Sequence, residues 1–194
     1  MQCYTRAMEH EIYQLAQQTG EQVLARGLRM ATAESCTGGW IAQAATAVPG
    51  SSHWFDTGLV TYSNHAKQHF LEVPGSYFAG PEAPGAVSRE TVEAMSRGIL
   101  AATGVSCAVA TSGIAGPDGG SADKPVGTVW IAWVLKLPGQ SSLRQETRCF
   151  TFAGDREAVR RQSVIEAFRG LQRMLEALPD DPEAHFSDTD NNTG

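Results

Sequence analysis

Three groups of residues have the types and spacing to do chemistry. The first is Ser35 within Ala33-Glu34-Ser35-Cys36-Thr37-Gly38-Gly39. A hydroxyl on a tight turn into a helix, beside backbone N–H groups that Gly38 and Gly39 leave approachable, could serve as acyl-transfer nucleophile with its oxyanion donors at hand. Such a turn also favours anions in general. Read from spacing alone, Ser35 or Thr37 could equally be an ordinary helix cap. The second group is Tyr62 and Lys67, at the end of a strand and in the first turn of the next helix. Helical side chains tilt toward the N-terminus, so Lys67 can point back at the strand end. A partly desolvated ammonium near the positive end of a helix has a depressed pKa and can act as the base for a serine. The plain alternative is a core aromatic and a solvated charge.

The third group is the loop from Gly113 to Gly127, with glycines at 113, 116, 119, 120 and 127 and Lys124 near its end. Its consecutive N–H groups could cradle a phosphate, or it could be a tight connection and nothing more. It lacks the G-K-[ST] ending of a P-loop and the spacing of a dinucleotide fingerprint. Arg156, followed by Arg160 and Arg161, puts guanidinium groups at another helix start where one could reach an anion. Other candidates are weaker. His65 and His69 have helical i, i+4 spacing but no H-E-x-x-H pattern, so no metal is expected. Cys36 next to Ser35 reads as buried structure rather than as a second nucleophile.

The elements that must position these groups follow from periodicity. An amphipathic helix is predicted over 10–26, a short strand over 28–34 and a helix carrying Trp40, Ile41 and Ala44 that ends before Pro49. A strand over 57–62 leads to a helix capped by Ser63 or Asn64; a Pro/Gly-rich loop follows over 74–85, and Ser88 caps the next helix. The nearly continuous apolar run 105–111 predicts a central strand covered on both faces. Strands over 129–136 and 146–152, joined across Pro138-Gly139, precede a last helix capped by Asp155. Strands alternating with helices, closed by a hairpin, predict one α/β domain over 1–178: a layered α/β/α sandwich with a mixed sheet.

Bulk properties narrow the function. The formal charge of −6 is carried mostly by the stretch 179–194, which holds five carboxylates and no Lys or Arg and is expected to be a disordered acidic tail. The remaining body is nearly neutral, without the basic stripe that nucleic acid demands, so no nucleic-acid partner is expected. No apolar run suits a membrane span or a signal peptide, and the four scattered cysteines suggest neither disulfides nor zinc; a cytoplasmic protein is expected. Self-association into a homo-oligomer is expected on general frequency.

Taken together, the motif around Ser35, Val60-Thr61-Tyr62-Ser63-Asn64-His65-Ala66-Lys67, Gly85-Ala86-Val87-Ser88, Ser112-Gly113-Ile114-Ala115-Gly116-Pro117-Asp118-Gly119-Gly120, Lys124-Pro125-Val126-Gly127-Thr128-Val129 and Gly154-Asp155-Arg156 resemble the C-terminal domain of competence/damage-inducible protein CinA. The resemblance spans about residues 11–178. It implies a nicotinamide-nucleotide amidohydrolase that needs no cofactor or metal, releasing ammonia and nicotinate mononucleotide in pyridine nucleotide salvage. It implies a catalytic set of Ser35, Tyr62 and Lys67. The expected substrate contacts are Thr37, Gly38, Gly39, Gly113, Gly116, Gly119, Gly120 and Arg156. A non-enzymatic nucleotide-binding or protein-interaction module using the same pocket is the competing expectation.

Overall fold

The computed structural model describes residues 2–139 and 142–179; the expected acidic tail, apart from Pro179, lies outside the described residues. The chain runs α1 (Gln2–Ala25), β1 (Met30–Glu34), α2 (Trp40–Thr46), β2 (Phe55–Val60), α3 (Asn64–Leu71), α4 (Arg89–Thr103), β3 (Cys107–Gly113), β4 (Thr128–Leu135), β5 (Arg144–Thr151) and α5 (Arg156–Glu176). The helix starts read from the sequence at Ser63, Ser88 and Asp155 are real caps, each side chain accepting the N–H three residues on. Helix α1 begins eight residues earlier than its periodicity indicated.

The five strands form one mixed sheet in the order β2-β1-β3-β4-β5. Strand β1 pairs in parallel with β2 and β3, whereas β4 and β5 add antiparallel strands. Alternation along each strand splits the core into two faces. Met30, Cys107, Val109, Ile131 and Trp133 pack under α1, α2 and α5. Ala31, Ala33, Ala108, Ala110, Ala132 and Val134 meet α3 and α4, where alanines let helix α4 lie close to the strands. The expected α/β/α sandwich is therefore the observed architecture. Strand β3, central and buried on both faces, accounts for the continuous apolar run.

Strand β1 is flanked by β2 on one side and β3 on the other, with α2 and the α3–α4 pair on opposite faces of the sheet. Its carboxyl end is thus a point where the strand order reverses, and open α/β sheets bind ligands outside such a point. Ser35 is the first residue beyond it.

Candidate active site

Ser35 continues the β1 ladder by one step: its N–H donates to the carbonyl of Thr111 at 3.0 Å, and its side chain is buried at 8% exposure. Lys67 reaches it from the inner face of α3. The Lys67 side chain is 1% exposed, and Nζ donates to Ser35 Oγ at 3.0 Å, to the Thr61 carbonyl at 2.8 Å and to the Tyr62 carbonyl at 3.2 Å. Among the described residues no carboxylate pairs with it. Burial therefore pulls its pKa down to about 8, a shift larger than the opposing influence of the neighbouring Cys36. An amine has two N–H donors and one lone pair. With two carbonyls holding the N–H groups, the neutral form turns its lone pair toward Ser35.

The turn after Ser35 is held from three directions. The Thr37 hydroxyl, fully buried, shares a 2.8 Å hydrogen bond with the Thr111 hydroxyl. The Thr37 carbonyl accepts from Arg160 Nη2 at 2.8 Å, and that guanidinium also lies over the Trp40 ring. Gly38 and Gly39 carry φ of 62° and 93°, left-handed values that favour glycine, and a Cβ on either would crowd Arg160 or Val60. The capping role considered for Ser35 or Thr37 belongs instead to Glu34. Its buried carboxylate accepts from Ile41 N at 3.0 Å and Ala42 N at 2.8 Å, while Gly39 occupies the cap position without a side-chain bond. The helix N–H groups expected to face an anion are thus taken by Glu34. Gly38 N is bonded to the Ser35 carbonyl and the N–H groups of Cys36 and Thr37 face the Cys36 sulfur, whereas Gly39 N makes no backbone hydrogen bond among the described residues.

A cavity of about 200 Å³ opens beside Ser35. Of the residues singled out in the sequence, Ser35, Tyr62, Lys67, Gly113 and Arg156 line it, joined by Cys36, Ser112 and the Ala86-Val87 segment. Arg156 bridges the mouth, Nη1 on the Gly116 carbonyl at 2.7 Å and Nη2 on the Tyr62 hydroxyl at 3.1 Å. Tyr62 is 60% exposed, and its phenol engages Arg156 rather than Ser35. Of the implied catalytic set, Tyr62 reaches Lys67 through its backbone carbonyl and not through its ring. Thr37, Gly38 and Gly39 shape the turn without lining the cavity, and Gly119 and Gly120 are exposed outside it. Lys124 donates to the Pro84 carbonyl at 2.9 Å, tying the glycine-rich loop to the cavity wall.

The remaining candidates for chemistry are Cys36 and the two helical histidines. Cys36 is buried at 4% exposure, and burial pushes its thiol up to about 12, which leaves it unreactive at neutral pH. The His65 and His69 rings stack at 5.7 Å, and among the described residues no group of three or more His, Cys, Asp or Glu could hold a metal ion. A larger hollow of about 880 Å³ lies at the opposite end of the sheet, between Leu100 and Leu143; Ser106 and Lys136 line it, but among the described residues no hydrogen bond joins their side chains. Three residues of the site escaped the sequence reading: Glu34, Arg160 as a clamp on the turn, and Ser112. Only for Ser112 did a signal exist, because positions 108, 110 and 112 alternate in step with 31, 33 and 35.

The sequence and the fold both match known proteins. The family model described as CinA C-terminal domain matches residues 12–175. A protein of Pseudomonas putida named nicotinamide-nucleotide amidohydrolase PncC is 54% identical over 160 residues, covering 82% of this chain and 94% of that one. Its namesake in Escherichia coli strain K12 is 47% identical over 167 residues, covering 86% and 96%. The crystal structure of competence damage-inducible protein A from Klebsiella pneumoniae superimposes with a TM-score of 0.78 at 40% identity, covering 87% of this chain and 99% of that one. No helix among the described residues is long and apolar enough to cross a membrane.

Proposed function

The chain belongs to the CinA C-terminal domain family, and from that premise we propose that it is a nicotinamide-nucleotide amidohydrolase with Ser35 as nucleophile and Lys67 as base. The observation that carries the residue assignment is the buried Lys67 amine, 3.0 Å from Ser35 Oγ with its other hydrogen bonds on backbone carbonyls. Neutral Lys67 takes the hydroxyl proton as Ser35 attacks the carboxamide carbon of nicotinamide mononucleotide. The oxyanion lies against the start of the turn after Ser35, where Cys36 lines the cavity. Protonated Lys67 then passes its proton to the amide nitrogen, the C–N bond breaks and ammonia leaves. Water, deprotonated by the same amine, cleaves the acyl-enzyme to give nicotinate mononucleotide and restores Ser35.

Size sets the pose. At about 200 Å³ the cavity is smaller than the 300–1,000 Å³ usual for ligand sites, so it suits the nicotinamide ring and leaves ribose and phosphate at the mouth. There Arg156 offers a guanidinium fixed by the Gly116 carbonyl, and Gly113 borders the path. Tyr62 packs over the ring at the entrance and holds Arg156 in line. The reading carries with it a cytoplasmic, self-associating enzyme that uses no metal or cofactor.

The decisive experiment is ammonia release from nicotinamide mononucleotide, with EDTA present, by the wild type and by Ser35→Ala. The wild type should turn over and the variant should lose at least about a thousandfold in kcat while still binding the nucleotide. A Ser35→Ala protein as active as wild type would end the assignment of this nucleophile; a wild type without turnover favours the binding-module alternative.

A further inference from the structure

Ser112 stands in the cavity with a hydrogen-bonding capacity that the mechanism above leaves unused. Ser35 N donates to the Thr111 carbonyl one step beyond the last paired residues, Glu34 and Thr111. Residues 31, 33 and 35 and residues 108, 110 and 112 share the sheet face that carries α3 and α4. Ser35 and Ser112 are therefore neighbours on adjacent strands, with Cα atoms about 5 Å apart by ordinary sheet spacing. Ser112 is 1% exposed, and both residues line the same cavity, which at about 200 Å³ is roughly 7 Å across if compact.

The Ser112 hydroxyl is committed as a donor. Its Oγ donates to the Ala86 carbonyl at 2.6 Å, a short bond that uses its only proton. What it can still offer is a lone pair. A buried group that accepts and cannot donate distinguishes the two ends of an amide hydrolysis: the substrate –NH2 donates, whereas the product carboxylate only accepts and is repelled.

We propose that Ser112 is the amide-selecting residue of this site, its Oγ accepting a hydrogen bond from the carboxamide –NH2 and disfavouring the carboxylate product. The inference rests on the amidohydrolase reading above. The contact strengthens along the reaction. As Lys67 delivers its proton to the amide nitrogen, the leaving group becomes a cationic donor, and hydrogen bonds to charged donors are the stronger kind. Ammonia then departs with the C–N electron pair, and the carboxylate formed on hydrolysis of the acyl-enzyme faces an acceptor with no proton to give. Binding of substrate and release of product are biased by one oxygen atom.

The test compares nicotinamide mononucleotide with the methyl ester of nicotinate mononucleotide, whose leaving group has no N–H. In Ser112→Ala, kcat/KM on the amide should fall about tenfold or more and that on the ester should stay within about twofold. Nicotinate mononucleotide should inhibit the variant more tightly than the wild type, and Ser112→Thr, which keeps a hydroxyl, should recover the amide preference. If amide and ester rates fall together, the hydroxyl merely holds the Ala86 segment in place and the inference is overturned. An unchanged amide-to-ester ratio overturns it as well. A wild type that releases no ammonia from the amide removes the amidohydrolase reading itself, a failure distinct from that of the ratio.

Discussion

Raising the pH from 6 to 9 should turn Lys67 from a hydrogen-bond donor into a base, and the rate should follow. With its pKa lowered to about 8, the neutral fraction is about 1% at pH 6, about 9% at pH 7, about 50% at pH 8 and about 90% at pH 9. The ammonia-release rate, measured as kcat/KM in buffers of constant ionic strength, should climb about fiftyfold between pH 6 and 8 and less than twofold above that. Lys67→Arg, which stays protonated, should be inactive throughout. The same shift acts on stability. The folded pKa lies below the unfolded value of 10.5, so the unfolded chain binds more protons between about pH 8 and 10.5, and stability contributed by this group rises across that window. Below pH 8 the buried ammonium costs the fold roughly 3 kcal/mol, and between pH 7 and 10 roughly 2 to 3 kcal/mol is recovered. Urea unfolding of the wild type beside Lys67→Met isolates this contribution, because the pH dependence of the difference belongs to Lys67. A rate that is flat or falls from pH 6 to 8, or an Arg variant that keeps turning over, would refute the base assignment.

Tyr62→Phe separates a proton carrier from a wall of the entrance: with the phenol on Arg156, the variant should keep its rate within about tenfold, whereas loss of a general-base partner costs about a hundredfold or more. Glu34→Gln removes one of two charge-assisted bonds to the start of α2 and should lower unfolding stability by about 2 kcal/mol, read from the urea midpoint at unchanged slope. Gly170→Ala would put a Cβ 2.1 Å from the buried Trp133 ring, which cannot retreat because its Nε1 is bonded to the Ala167 carbonyl. About 1 to 3 kcal/mol or more of stability should be lost, and a calorimetric Tm equal to wild type would show that α5 slides to make room.

Local rules made much of the fold legible. Caps depend on one side chain and an N–H three residues away, so Ser63, Ser88 and Asp155 marked their helices correctly, and the apolar run before Thr111 marked the central strand. Strand ends were less secure: the strand read as reaching Tyr62 stops at Val60, because Thr61 and Tyr62 turn their carbonyls to Lys67 instead of to a neighbouring strand. Element bounds are set by which partner wins a backbone group, and that partner is often distant in sequence.

The same division runs through the site. By itself the sequence determined that a serine follows a strand, that a lysine lies on the next helix within reach, and that Gly38 and Gly39 make a tight turn into a helix, since these are matters of spacing and backbone sterics. Only the tertiary structure decided that Lys67 is buried with no carboxylate bound to it among the described residues, which lowers its pKa to about 8. Folding also turned the Tyr62 phenol to Arg156, 94 residues away, gave the cap of α2 to Glu34, and set Ser112 beside Ser35 with its proton spent on Ala86. Desolvation, hydrogen-bond competition and register between strands depend on everything packed around a residue, and no window of sequence contains that.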